Sequence, residues 1–105
     1  MIRAMRLLIM FDLPSVKKTD LRHYRKWHDF LVRTGFIMMT ESVYSRLVIN
    51  KSVSQSLRKL VSDNLPPKGD VQLLEITERQ FASIEYLLGT AKSNVVTSAE
   101  RYVEI

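Results

Sequence analysis

Leu7-Leu8-Ile9-Met10-Phe11-Asp12-Leu13-Pro14 is the stretch whose reading decides the fold. It is short, nearly all apolar, and closed by Pro14, which lacks the amide hydrogen that a strand ladder needs. Arg3 to Leu13 therefore reads as a strand, with Asp12 at its C-terminal end. Alternation along a strand sends Leu7, Ile9 and Phe11 to one face and Leu8 and Met10 to the other. A strand apolar on both sides needs cover on both.

Working outward from it, Thr19 to Thr34 has helical periodicity, with Thr19 or Asp20 as the expected N-cap and Gly35 just past its end. At 100° per residue, Leu21, Tyr24, Trp27, His28, Leu31 and Val32 fall on one side, while Arg22, Arg25, Lys26, Asp29 and Arg33 fall on the other. Phe36 to Met39 and Val43 to Ile49 read as two strands of a hairpin around Thr40-Glu41-Ser42. Ser52 to Leu65 repeats the helical pattern until Pro66-Pro67 stops it, and Asp70 to Thr77 returns to a strand. Phe81 to Leu88 fits a helix or a strand, and the β-rich context favours a fifth strand. Thr90 to Glu100 reads as a connector and Arg101 to Ile105 as a short terminal strand.

The expected architecture is therefore an α+β sandwich of βαββαβ order, the ferredoxin-like plan, over residues 1–88, with a tail at 89–105 that carries an extra β segment. In that plan both helices cover one sheet face, which leaves Leu8 and Met10 without partners. Burying a side chain of that size contributes about 1.5–3 kcal/mol, so a face-to-face homodimer is the expected cover.

Net charge is +5, and all of it resides in residues 1–35, where eight basic side chains face only Asp12, Asp20 and Asp29. A localised basic surface suits a polyanion, read through its phosphates rather than its bases. Lys17, Lys18, Arg22, Arg25, Lys26 and Arg33 are the expected contacts. The chain has no cysteine, which excludes disulfides and thiolate metal sites, and its apolar run near the start is too short to span a membrane. The expected location is the cytoplasm, with no membrane partner.

Asp12 has two readings. It is either the start of an Asx turn before Leu13-Pro14, or a carboxylate that helps hold Mg²⁺, an ion that keeps several waters and uses one or two carboxylates beside phosphate oxygens. His23 and His28, five residues apart, face different ways on the helix and read as structural or surface groups. Ser42 and Tyr44 hydroxyls either touch phosphate or satisfy local structure.

Four stretches together resemble a known family. They are Leu7 to Pro14, Tyr24 to Phe36 with its Tyr-Arg-Lys-Trp and Thr-Gly-Phe, Ser42-Val43-Tyr44, and Leu73 to Phe81 (LLEITERQF). The family is the small CRISPR-associated adaptation protein, the second of the two core proteins of spacer acquisition, also described as CRISPR-associated endoribonucleases. The last stretch is similar to the variety found in type II systems. The resemblance implies a homodimer, often with the final strand of one protomer laid on its partner's sheet. It implies a larger CRISPR integrase as companion, with the dimer bridging integrase subunits and holding double-stranded DNA. It also implies Mg²⁺-dependent nuclease activity on RNA or DNA, with Asp12 as catalytic residue and metal ligand, although Asp12 here precedes Leu13-Pro14 where many members continue with a β-branched residue and a polar turn. Arg101, Tyr102, Val103 and Ile105 are the expected partner-docking residues. A small-molecule sensor on the same fold is a third reading, without a Gly-rich ligand loop to support it.

Overall fold

The computed structural model describes residues 4–89. The expected connector at 90–100 and terminal strand at 101–105, with Arg101, Tyr102, Val103 and Ile105, lie outside the described residues. The chain runs β1 (Met5–Asp12), α1 (Lys18–Arg33), β2 (Ile37–Thr40), β3 (Val43–Val48), α2 (Lys51–Ser62), β4 (Asp70–Thr77) and α3 (Glu78–Ala82). The four strands form one antiparallel sheet in the order β2-β3-β1-β4, which is the ferredoxin-like arrangement. β1 is central, so Leu7 and Ile9 are wholly buried.

Both long helices pack on the face that carries Leu7, Ile9 and Phe11. Trp27, Phe30 and Leu31 of α1 and Leu57 and Val61 of α2 close over these residues and over Tyr44 and Val48 of β3. α1 is turned toward Phe30 relative to the sequence expectation. Leu21 and Val32, expected inside, are about half exposed, while Tyr24 and His28 stay on the flank, the first donating a hydrogen bond to the Glu41 carbonyl oxygen at 2.8 Å and the second bonded to the Tyr44 hydroxyl. The N-cap is Lys17 rather than Thr19 or Asp20, and Asp20 serves the helix start from the third position by accepting from the Lys17 N–H at 3.0 Å. That bond, more than any other cause, holds the Asp20 carboxyl below its usual range.

α2 begins at an ordinary cap, the Asn50 side chain accepting from the Val53 N–H at 2.8 Å. It is fastened to β4 by Glu75, whose carboxylate accepts from the Ser54 hydroxyl and from Arg58 Nη2 at 3.0 Å. Ser54 first, and Arg58 second, hold the Glu75 carboxyl below the usual carboxylate range. A depressed folded-state value means that the bond contributes at neutral pH and is lost as pH falls through that value. Ser54→Ala is therefore expected to cost about 0.5–1 kcal/mol at neutral pH, allowing for screening by water. The difference from wild type should shrink in acid well below 4.5, the ordinary glutamate value. Urea unfolding across that pH range checks it.

The fifth strand expected at Phe81 to Leu88 does not form. Thr77-Glu78-Arg79-Gln80 is a capping box instead: Thr77 Oγ1 accepts from the Gln80 N–H at 3.0 Å and Gln80 Oε1 from the Thr77 N–H at 2.9 Å. This starts α3, and Phe81 and Ile84, three residues apart, turn together onto Leu8 on the sheet face away from the long helices. Arg6 completes the contact, its Nε donating to both Glu78 carboxylate oxygens at 3.1 and 2.9 Å while its guanidinium lies 4.4 Å from the centre of the Phe81 ring. Part of the cover that β1 requires on its second face is thus supplied within the chain. Leu74 of β4 and Leu47 of β3, on the same face by alternation, remain 48% and 42% exposed.

Candidate nucleic-acid interface

The basic residues of α1 are presented by the packing just described. With Trp27 at the centre of the buried side, Lys18, Arg22, Arg25, Lys26 and Arg33 fall on the opposite arc, and all are exposed, as is Lys17 at the cap. Among the described residues none of the six makes an ion pair. The cations that do are elsewhere: Arg6 with Glu78, Arg58 with Glu75, and Lys59 with Asp63. Asp29 lies within the arc and its carbonyl oxygen, not its carboxylate, accepts from Arg33 Nε at 3.3 Å. Such a row is free to exchange its counterions for a phosphate backbone.

Asp12 is exposed at the end of β1 and, by alternation, points to the face that carries Leu8 and Met10. The sheet therefore stands between its carboxylate and the outward arc of α1. Lys17 and Lys18 are the first basic residues after it, at the start of α1. Directly opposite Asp12 in the antiparallel ladder is Asp70, the first residue of β4. Like charges facing each other across two strands repel unless a cation lies between them. Two carboxylates and no softer donor make an oxygen-only set, which fits Mg²⁺. Among the described residues no group of three or more His, Cys, Asp or Glu is placed to hold a metal, so at this strand end they offer the pair alone.

The turn behind the pair is tight. Gly69 has φ +104°, and a Cβ there would stand 2.5 Å from the Asp12 carbonyl oxygen and 2.8 Å from Leu13 Cδ2. Only glycine lets Pro66 to Gly69 pass so close to the strand end.

Tyr44 is wholly buried, and burial first, with Tyr24 second, pushes its hydroxyl above the usual tyrosine range. It is held neutral against His28 and does not reach a phosphate from there. Ser42 is exposed and serves the hairpin, its N–H donating to Thr40 Oγ1 at 3.2 Å.

Sequence reasoning missed two features. Asp70 has no signal in one sequence, because ladder register depends on both strands. The second is a groove of about 390 Å³ between α1 and the segment after α2. His23, Lys26 and Arg33 form one side, Asp63, Asn64, Leu65, Pro66 and Pro67 the other, and Trp27 and Phe30 the floor. His23, Pro66 and Pro67 also line a small recess that reaches Leu13, Pro14, Asp20 and Lys68 beside the strand end. Pro66-Pro67 was legible as a helix stop but not as a wall.

Among the described residues no helix is long and apolar enough to cross a membrane. Residues 5–84 match the family described as CRISPR associated protein Cas2. The chain is 37% identical to a protein of Treponema denticola over 94% of its own length and 98% of the relative's. It is 40% identical to one of Lacticaseibacillus rhamnosus over 96% of its length and 100% of the relative's. It is 41% identical to one of Ligilactobacillus salivarius over 94% and 98%. Each of the three is named a CRISPR-associated endoribonuclease Cas2.

Proposed function

The chain belongs to the Cas2 family of CRISPR-associated proteins, and from that premise we propose that it acts in spacer acquisition as a homodimer that binds double-stranded DNA and bridges subunits of the CRISPR integrase. The observation that carries this reading is the basic arc of α1, five exposed cations gathered on one side of one helix with no ion pair among the described residues. A rigid helix offering Lys18, Arg22, Arg25, Lys26 and Arg33 on one side matches a phosphate backbone and reads no base. Exposed Leu47 and Leu74 on the sheet face away from the long helices support a two-fold partner there.

A second reading is favoured by the opposed pair Asp12 and Asp70. In it the protein is a Mg²⁺-dependent nuclease acting on RNA or DNA, as the relatives' names say of them for RNA. Bound there, the ion would supply a more acidic water and polarise a phosphodiester. Asp12, supplied by each protomer, and Asp70 would hold it, while Lys17 and Lys18 would hold the phosphate.

One experiment separates the readings. Purified protein and Asp12→Ala are compared for sedimentation, for binding of a blunt DNA duplex, and for cleavage of single-stranded RNA and duplex DNA with and without Mg²⁺. The leading reading expects a dimer and duplex binding unchanged by Asp12→Ala. Mg²⁺-dependent cleavage that disappears in the variant would put the nuclease reading in front. A monomer that ignores duplex DNA would remove the leading one.

A further inference from the structure

We propose that the groove between α1 and the segment after α2 holds an unpaired nucleotide at the end of a nucleic-acid strand. The proposal rests on the nucleic-acid reading and adds a site to it, one that borders the outward arc and shares Lys26 and Arg33 with it. Its size, about 390 Å³, lies in the range of roughly 300–1,000 Å³ that small-ligand sites occupy. That space fits one nucleotide and not a double helix.

Its chemistry is divided as a nucleotide is. His23, Lys26 and Arg33 form the α1 side and are cationic or hydrogen-bonding, suited to phosphate. The facing wall is apolar at Leu65, Pro66 and Pro67, suited to the flat side of a base, and Asp63 beside them has its carboxylate held by Lys59 at 3.2 Å. Asn64 lies between, with its Nδ2 donating to the Leu60 carbonyl oxygen at 2.8 Å, so its own carbonyl oxygen is left to accept from a base edge. The floor is Trp27 and Phe30.

Two observations choose a strand end over a free nucleotide. Lys26 and Arg33 are two turns apart, about 10 Å along the helix, so each can meet a phosphate of its own. The groove also shares His23, Pro66 and Pro67 with the small recess lined by Leu13, Pro14, Asp20 and Lys68, so it adjoins the loop that follows β1 rather than standing apart from it.

Trp27 is the only tryptophan in the chain and lines this groove, so its fluorescence is the signal to follow. The test follows its fluorescence while full-length protein is titrated with the 5′-phosphorylated dinucleotide of thymidine, with thymidine monophosphate, and with inorganic phosphate. Binding of a labelled blunt duplex is measured by anisotropy on the same samples. The dinucleotide should give a saturable change, and the mononucleotide should bind about fivefold more weakly, having one phosphate fewer. Asn64→Phe, which fills the groove, and His23→Ala, which removes part of its wall, should each weaken the dinucleotide at least about fivefold and leave duplex binding alone. Circular dichroism shows that each variant is folded, and His23→Ala decides if Asn64→Phe is not. An unchanged Trp27 signal, wild-type affinity in both variants, or a mononucleotide or phosphate that binds as tightly as the dinucleotide overturns the proposal. Loss of duplex binding with the Trp27 response intact would sink the duplex reading and leave the groove standing.

Discussion

Reversing two charges on α1, Arg22→Glu with Lys26→Glu, is expected to lower affinity for a blunt DNA duplex by about a thousandfold near 0.1 M salt. In a two-fold dimer the pair removes four phosphate contacts. Each contact releases a counterion worth a little under one power of the salt concentration, so the slope of log affinity against log salt should fall by about four. Stability should change by no more than about 0.5 kcal/mol, because both side chains are exposed on the helix and make no ion pair among the described residues. Lys51→Glu with Lys59→Glu is the control. It alters net charge by the same amount on α2, where Lys59 is held by Asp63 at 3.2 Å, and should shift duplex affinity only a few-fold. Anisotropy of a labelled duplex at several salt concentrations reads both slopes. Equal losses in the two pairs would mean that total charge, not the α1 arc, draws the duplex.

The helix that carries this arc was legible because its apolar and basic sides differ so sharply in sequence. Its rotation was not. Leu21 and Val32 are as apolar as Leu31, and the packing of Phe30 on Trp27 in the core, with Tyr24 bonded to Glu41 and His28 to Tyr44, exists only once the helix lies on the sheet. β1 was legible for a different reason: a two-sided apolar run stopped by proline has few other fates. The demand for cover on its second face was also right in kind, and the missing step was local. Thr77-Glu78-Arg79-Gln80 carries a helix start in plain sight, but the weight given to β-rich surroundings hid it, and with it the fact that Phe81 and Ile84 supply part of the cover. Of the site, Asp12 and the basic row could be named from residue type and position. Asp70 and the groove could not, since they exist only once strands are in register and the loop from Asn64 to Gly69 lies against α1 and the end of β1.

Trp27→Ala is expected to cost about 3–5 kcal/mol, as removal of a buried large aromatic does. The ring is 2% exposed, lies 5.7 Å from Phe30 in a stacked pair and meets Phe11 edge-on at 5.9 Å, so it ties α1 to the central strand. For a domain whose total stability is roughly 5–15 kcal/mol, that loss is a large share. Trp27→Phe should cost far less, no more than about 1.5 kcal/mol, because it keeps a ring in place and removes the indole N–H, a buried donor without an acceptor that itself costs about 1–3 kcal/mol. Both variants lose the tryptophan signal, so urea unfolding is followed by far-ultraviolet circular dichroism. The consequence reaches the interface, since Trp27 is opposite the basic arc and its seating fixes the direction in which Arg22, Arg25 and Lys26 point. Trp27→Phe should then bind duplex DNA as wild type does. If Trp27→Ala cost less than about 2 kcal/mol, α1 would be held mainly by Phe30 and Leu31, and the aim of the arc would not depend on this ring.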